Sequence, residues 1–193
     1  MRIQRLTTIE EPTNFLIGDK INIDHYTATC QEITSKGALF LMDQYLDKPM
    51  AMNRNNSNKG GYEESDLRKT LRSREVLDIF DDWRDRMVPF ENGDLLRIPF
   101  FSEIFGQEDA EYFETDGCEQ WELMKDRKNR NAFRQNCLEW GWLQNKRKGS
   151  AADFALVANR GYAVCATALG SAGVRPAFLI TTRRKAREEA DID

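Results

Sequence analysis

The hydrophobic period of this chain changes twice along its length, and that change constrains the architecture more than any single motif. Ile21 and Ile23 alternate with polar residues, residues 26–33 alternate again with many threonines, and Ala38-Leu39-Phe40-Leu41-Met42 is a continuous apolar run. A period of two marks strands, and a short unbroken apolar run suits a buried one. From Ser65 the period lengthens. Leu67 and Leu71 lie four apart, and beyond a break near Ser73 the residues Val76, Leu77, Phe80, Trp83 and Met87 recur at spacings of three to four. That is the stripe of an amphipathic helix, capped by Ser65 and stopped by Pro89. Strand patterns return at Trp140-Gly141-Trp142-Leu143, Phe154-Ala155-Leu156-Val157, Tyr162-Ala163-Val164-Cys165 and residues 174–180. Strands, then helix, then strands predict an α+β fold of small antiparallel sheets with one or two amphipathic helices packed against them.

The connections carry their own signals. Gly18-Asp19-Lys20 and Asn159-Arg160-Gly161 read as turns, and Ser35-Lys36-Gly37 as a hairpin turn. Residues 53–61 form an Asn/Gly-rich stretch, read as a mobile connection or a ligand-facing loop. Leu95-Leu96-Arg97-Ile98 reads as a short strand ended by Pro99, and Ser102-Glu103-Ile104-Phe105 as a capped turn or short helix. Residues 144–150 read as a polar loop, and Gly170-Ser171-Ala172-Gly173 as a glycine-rich link. The expected organisation is an N-terminal segment (1–14), one α+β domain (15–181) and a charged tail (182–193).

Composition excludes several classes. A chain of 193 residues with 40% hydrophobic residues, among them 11 Phe, 5 Tyr and 4 Trp, can build an ordinary core without a metal or disulfide staple. The basic residues at the N-terminus are not followed by an apolar segment, and no apolar stretch approaches the roughly 20 residues of a membrane helix. The expectation is a protein made in the cytoplasm that does not enter a membrane. Cys30, Cys118, Cys137 and Cys165 are scattered, so the expectation is four free and mostly buried thiols. With His25 the one histidine, read as a strand or turn residue, no metal site, cofactor or imidazole-based catalytic group is expected.

Charge is locally polarised although the net value is only −4. Residues 101–122 hold eight acidic side chains and no Lys or Arg, and residues 125–148 hold eight Lys or Arg against Asp126 and Glu139. The basic block would suit phosphates, but no nucleic-acid motif accompanies it and the whole chain is acidic. Mutual neutralisation of the two blocks across the fold is the favoured reading.

Several segments, in this order, resemble an uncharacterised domain family of gut bacteria, their prophages and phages. They are Ile17-Gly18-Asp19-Lys20-Ile21, the helix Ser65-Asp66-Leu67-Arg68-Lys69-Thr70-Leu71, residues 95–103, Trp140-Gly141-Trp142-Leu143, and the closing Gly173-Val174-Arg175-Pro176-Ala177. The resemblance covers roughly residues 15–181 and implies a C-type-lectin-like fold, the scaffold also of formylglycine-generating oxidases, sugar-binding lectins and ligand-display domains. Its motif residues here are Ser65, Asp66, Arg68, Trp140, Gly173, Arg175 and Pro176. After Trp-Leu the family usually continues Arg-Ser-Pro-Gly, whereas this chain reads Gln144-Asn145-Lys146-Arg147-Lys148-Gly149. A loop free to vary on a rigid scaffold is a candidate ligand-facing loop.

Trp142, Gln144, Asn145, Arg147 and Tyr162 are therefore the candidate ligand-binding residues. Trp140 and Trp142, two apart on a strand, would share a face and either stack on a sugar or pack in the core. Arg175 would orient a ligand carboxylate, or bridge backbone carbonyls or a buried acid and lock the terminal strand. An oxidase would need Cys137 and Cys165 to meet, and no catalytic residue is assigned. Calcium-dependent sugar binding lacks its carboxylate and amide triplet. The sequence thus reads as a non-catalytic recognition or structural module of phage, prophage or gut-bacterial origin, its partner a protein or glycan surface. The alternative is an enzyme on the same scaffold, related to the formylglycine-generating oxidases.

Overall fold

A computed structural model describes residues 14–181; the expectations for the charged tail and for all but the last residue of the N-terminal segment lie outside the described residues. Strands β1 (Lys20–Ile23), β2 (Tyr26–Thr34) and β3 (Gly37–Met42) form consecutive antiparallel hairpins. Short β4 (Met50–Ala51) leads through the Asn/Gly-rich stretch to helices α1 (Asp66–Leu71) and α2 (Arg74–Leu77). A 3-10 stretch, Asp78–Arg86, follows and ends in β5 (Met87–Val88). Helix α3 (Phe101–Phe105) precedes the hairpin of β6 (Phe133–Arg134) and β7 (Cys137–Leu138). The last third holds β8 (Gly141–Lys146), β9 (Asp153–Val157), β10 (Ala163–Thr167), β11 (Ser171–Ala172) and β12 (Ala177–Ile180).

The main sheet runs β1-β2-β3-β12-β5 with every neighbouring pair antiparallel, so the fold is mixed α and β with a curled antiparallel sheet. A second sheet runs β10-β9-β8, and β11 pairs with β4. The unbroken apolar run of β3 is explained by its position. Alternate side chains enter two separate cores: Leu39 and Leu41 join Phe101, Phe105 and Trp121, while Ala38, Phe40 and Met42 join Leu67, Leu71 and Phe80. In β12, Ala177 and Leu179 turn to the first of these cores, Phe178 and Ile180 to the second. A strand covered on both faces has no polar side to show.

The central helix is shorter than its apolar spacing predicts. Instead of one helix through Met87, α2 stops at Leu77, Phe80 leaves helical geometry at φ −100°, ψ 15°, and Met87 becomes strand. Tertiary contacts decide this. Phe80 packs edge-on against Phe178 of β12 (5.1 Å), Trp83 Nε1 donates to the Asn22 carbonyl (2.8 Å), and Met87 pairs with Ile180. Ser65 accepts from the Arg68 amide (3.0 Å) at the start of α1. Ser102, expected as a cap, lies inside α3.

Other local expectations also change. The strand expected at residues 95–98 reduces to one bridge between Arg97 and Ala177. Gln144, Asn145 and Lys146 are strand, not loop, because they continue β8. Residues 53–61 are held at both ends. Asn53 Nδ2 donates to the Ser57 carbonyl (2.7 Å), and Asn58 Nδ2 donates to the carbonyls of Ser150 (2.8 Å) and Asp153 (3.1 Å). Of the four free cysteines only Cys30 is buried; Cys118 and Cys165 are half-buried and Cys137 is exposed, so the expectation of mostly buried thiols is corrected. Cys137 and Cys165 sit in different sheets.

Gly173 is required by a close approach. A Cβ there would lie 2.5 Å from Cγ of the buried Tyr45 ring, and Gly141, bridged to Gly173, faces the same ring. Tyr45 is in turn anchored by its hydroxyl on Asn131 (3.0 Å). Gly173→Ala is expected to cost about 1–3 kcal/mol, the usual penalty for overpacking a filled core. Urea denaturation checks this, and a variant as stable as the parent would show that the Tyr45 ring can give way.

Asp43 ties β1 and β2 to the end of β3. Its carboxylate accepts from Lys20 Nζ (2.5 Å), Thr27 Oγ1 (2.8 Å) and Thr29 Oγ1 (2.6 Å). Burial raises this carboxyl, and the bonds from Lys20, Thr29 and Thr27 outweigh it, leaving the folded pKa below the ordinary value. A depressed carboxylate stabilises fully above the unfolded aspartate value of about 3.9, and that stability is lost as pH falls through the lower folded pKa. Asp43→Asn is expected to cost about 1–2 kcal/mol at neutral pH and less below pH ~4, so the two stability curves converge in acid. Parallel curves measured by denaturation across that range would refute the assignment.

Candidate functional site

The segment entering α3 lies between β8 and the main sheet, and its side chains build a groove. Each polar group left by the helix start is met by a neighbouring element. The Phe100 amide donates to Glu103 Oε2 (2.8 Å), the Phe101 amide to Asn145 Oδ1 (2.7 Å) and the Ser102 amide to Asp116 Oδ2 (3.0 Å). Gln144 Nε2 donates to the Ile98 carbonyl (2.6 Å), and its own amide donates to the Pro99 carbonyl (3.1 Å). The polar end of β8 is thus a clamp on residues 98–101.

Phe100, Glu63 and Gln144 are common to two adjoining hollows. One, of about 470 Å³, has Leu39, Phe90, Phe100 and Leu179 as apolar walls with Arg97, Glu103 and Cys118 among its polar lining. The other, of about 310 Å³, is lined by Gly60, Gly61, Asp116 and Lys146 among others. The two adjoin at these shared residues and make one groove, the second hollow being lined mainly by polar residues. A larger hollow of about 660 Å³ is bordered by Asn14, Phe15 and Thr181. Its outline is set by where the described residues begin and end, so it carries no site.

A buried ion pair forms the groove wall. Arg97 donates to Glu103 through both terminal nitrogens (2.7 and 2.5 Å) and to the Ile98 carbonyl (3.2 Å). Its guanidinium also stacks on the rings of Phe90 (4.7 Å) and Phe100 (5.0 Å). Burial works against the Arg97 charge, but Glu103 outweighs it and keeps the guanidinium firmly charged. The Cys118 thiol is pushed up to about 12 by burial, with Glu103 and Asp116 adding to the effect. It is a neutral thiol near pH 7, a poor nucleophile and a poor metal ligand.

The residues singled out from sequence do not converge. Trp142 is 1% exposed in the core, its Nε1 donating to the Met50 carbonyl (2.7 Å). Trp140 is 46% exposed just before β8, so the two indoles do not share a covered face. Gln144 and Asn145 are buried supports of the groove. Arg147 lies on another face beside Asp153 (3.6 Å) and Cys165 (3.6 Å), and Tyr162 accepts from Arg127 Nη1 (2.6 Å). Arg175 donates to the carbonyls of Met42 (2.6 Å), Asn129 (3.2 Å) and Arg130 (3.2 Å), and the Pro176 carbonyl accepts from the Met42 amide (3.0 Å). Arg68 bridges Asp94 (2.6 Å) and Glu63 (2.9 Å), and Asp66 accepts from the Arg54 amide (2.9 Å). The opposed charge blocks meet in Arg130–Glu108 (2.6 Å) and Lys146–Glu114 (3.1 Å).

Sequence reasoning passed over Phe90, Arg97 and Phe100. The available signal was Glu103, an acid among Phe100, Phe101, Ile104 and Phe105, which must find a cation if that stretch is buried. Among the described residues no group of three or more His, Cys, Asp or Glu is placed to hold a metal ion, and no helix is long and apolar enough to cross a membrane. Comparison with family models, curated proteins and solved structures returns no match for this chain.

Proposed function

We propose that this protein is a non-catalytic recognition module that seats a protein or glycan partner in the groove beside α3. The observation that carries the reading is the groove wall itself. Phe90 and Phe100 are half-buried and offer apolar area, while the charge between them is already matched by Glu103 and the one thiol is held neutral. A site of this kind buries surface and fixes orientation; it does not activate a nucleophile. We assign the scaffold to the C-type-lectin-like class found in gut bacteria and their phages. That assignment is supported by a closing strand, β12, inserted beside the N-terminal hairpin, and by the packing roles of Gly173 and Arg175 in the closing motif. On this reading the chain is made in the cytoplasm and becomes virion-associated where a phage encodes it.

Labelled protein applied to bacterial cells, a glycan panel and a protein panel tests the proposal. Binding should be lost in Phe90→Ser and retained in Arg147→Ser, which changes another face. Gln144 and Asn145 are poor choices for such a control, because their loss frees buried backbone groups and weakens the fold. Binding that is insensitive to Phe90 would remove the groove from consideration. Binding to none of these surfaces would leave a structural or assembly role.

A further inference from the structure

Resting on the groove reading, we propose that the partner is a basic peptide segment, an apolar side chain flanked by lysines or arginines. The first hollow of the groove has Leu39, Phe90, Phe100 and Leu179 in its walls, which suits an uncharged side chain. The charge at its mouth is acidic. Glu32, Glu63 and Glu91 are exposed there, and Lys36 is the one lysine among the lining residues. The carboxylates are not used up by internal pairing. Glu32 has no ion pair or side-chain hydrogen bond among the described residues, and Glu91 meets Lys36 only at 3.8 Å with nearly all of its side chain in solvent. Glu63 is the most engaged, with Arg68 at 2.9 Å and Asn92 donating at 3.2 Å, and still has a half-exposed side chain.

Deeper in the wall, Arg97 and Glu103 cancel each other, so the mouth carries three glutamates against Lys36 and its field is negative. An anionic partner would have to bring its charge against them, and a neutral one would leave them unused. A cation beside the apolar anchor gains from both features. The second hollow adds little to this field, since Asp116 already accepts from the amides of Ser102 and Cys118 and from Asn145, and Lys146 is held by Glu114. The two hollows adjoin at Glu63, Phe100 and Gln144, so a peptide anchored by an apolar side chain in the first has the second beside it for its neighbouring residues.

Fluorescence anisotropy of the full chain with three labelled peptides of equal length tests this. The first carries lysines and arginines around a central leucine pair. The second replaces the cations with glutamates, and the third replaces the leucines with serines. The first is expected to bind, and to weaken roughly tenfold or more as salt is raised past the point where the Debye length falls to about 8 Å. The glutamate peptide is expected not to bind, and the serine peptide to bind at least about tenfold more weakly. The variant E32Q/E63Q/E91Q, which keeps every side-chain shape, is expected to lose about tenfold for the first peptide. The matched variant E75Q/D81N/E122Q, with the same charge change outside the groove, should lose far less.

Equal losses in the two triple variants would reduce the effect to net charge and overturn the proposal, as would failure of the basic peptide to bind. If the glutamate peptide or a neutral glycan binds instead, and Phe90→Ser abolishes it, the groove reading stands and the cationic partner is refuted. If Phe90→Ser affects no binder, the groove reading falls as well.

Discussion

Arg175→Met is expected to remove about 3–5 kcal/mol of stability, enough to bring a domain of this size near its folding threshold. Arg175 is buried, and its guanidinium donates to three backbone carbonyls on two distant segments, Met42 at the end of β3 and Asn129 with Arg130 before β6. Burial lowers its pKa, and the groups it donates to are backbone carbonyls. Methionine would fill part of the volume but leave those buried carbonyls without their donor. The cost is that of unsatisfied acceptors more than of lost charge. Arg175→Lys separates the two. It keeps the charge but cannot span Met42 and the 129–130 carbonyls together, so it is expected to recover only part of the loss. Guanidinium denaturation of the three proteins measures this. A lysine variant as stable as the parent would show that charge alone matters at this position.

Glu103→Gln is expected to be nearly as damaging, at about 3–5 kcal/mol, because it leaves the Arg97 guanidinium charged, buried and half-satisfied. The decisive comparison is the double variant R97M/E103L. Replacing both partners with apolar side chains removes the desolvation penalty along with the attraction, so the double variant is expected within about 1–2 kcal/mol of the parent, the remaining loss being that of the Phe100 amide deprived of its Glu103 acceptor. The coupling in the double-mutant cycle is then several times larger than that of a surface pair. Small and additive losses would mean that water reaches the pair. The double variant also gives a folded protein whose groove wall lacks its fixed charges, which makes it useful in the binding experiments.

Periodicity made much of the secondary structure legible. The hairpin of β2 and β3, the Ser65 cap and buried Leu67 and Leu71 of α1, and the strands β9 and β10 follow from patterns of a few residues. Where the pattern misled, a partner distant in sequence was responsible. The stripe from Val76 to Met87 is apolar at helical spacing, yet the chain bends at Phe80 because Phe178 and Ile180 take up its side chains and its end. Gln144 and Asn145 look like loop residues because they are polar, and they are buried because residues 98–101 present bare backbone groups to them.

The candidate site was the least legible part. Phe90, Arg97 and Phe100 are unremarkable as letters, and Glu32 and Glu63 come from elements far apart in the chain. Taken by itself, the sequence determined what depends on neighbours a few residues away: the strand and helix periods, the turns, the α+β class and the separation of acidic from basic blocks. Only the tertiary structure decided what depends on neighbours far along the chain. It set the insertion of β12 between β3 and β5, the matching of Arg97 with Glu103 in an apolar wall, the locking of Arg175 on three carbonyls, and the gathering of acids at one groove mouth. The physical reason is that hydrophobic period is a local property of the backbone, whereas burial and charge pairing depend on which surfaces the folded chain brings together.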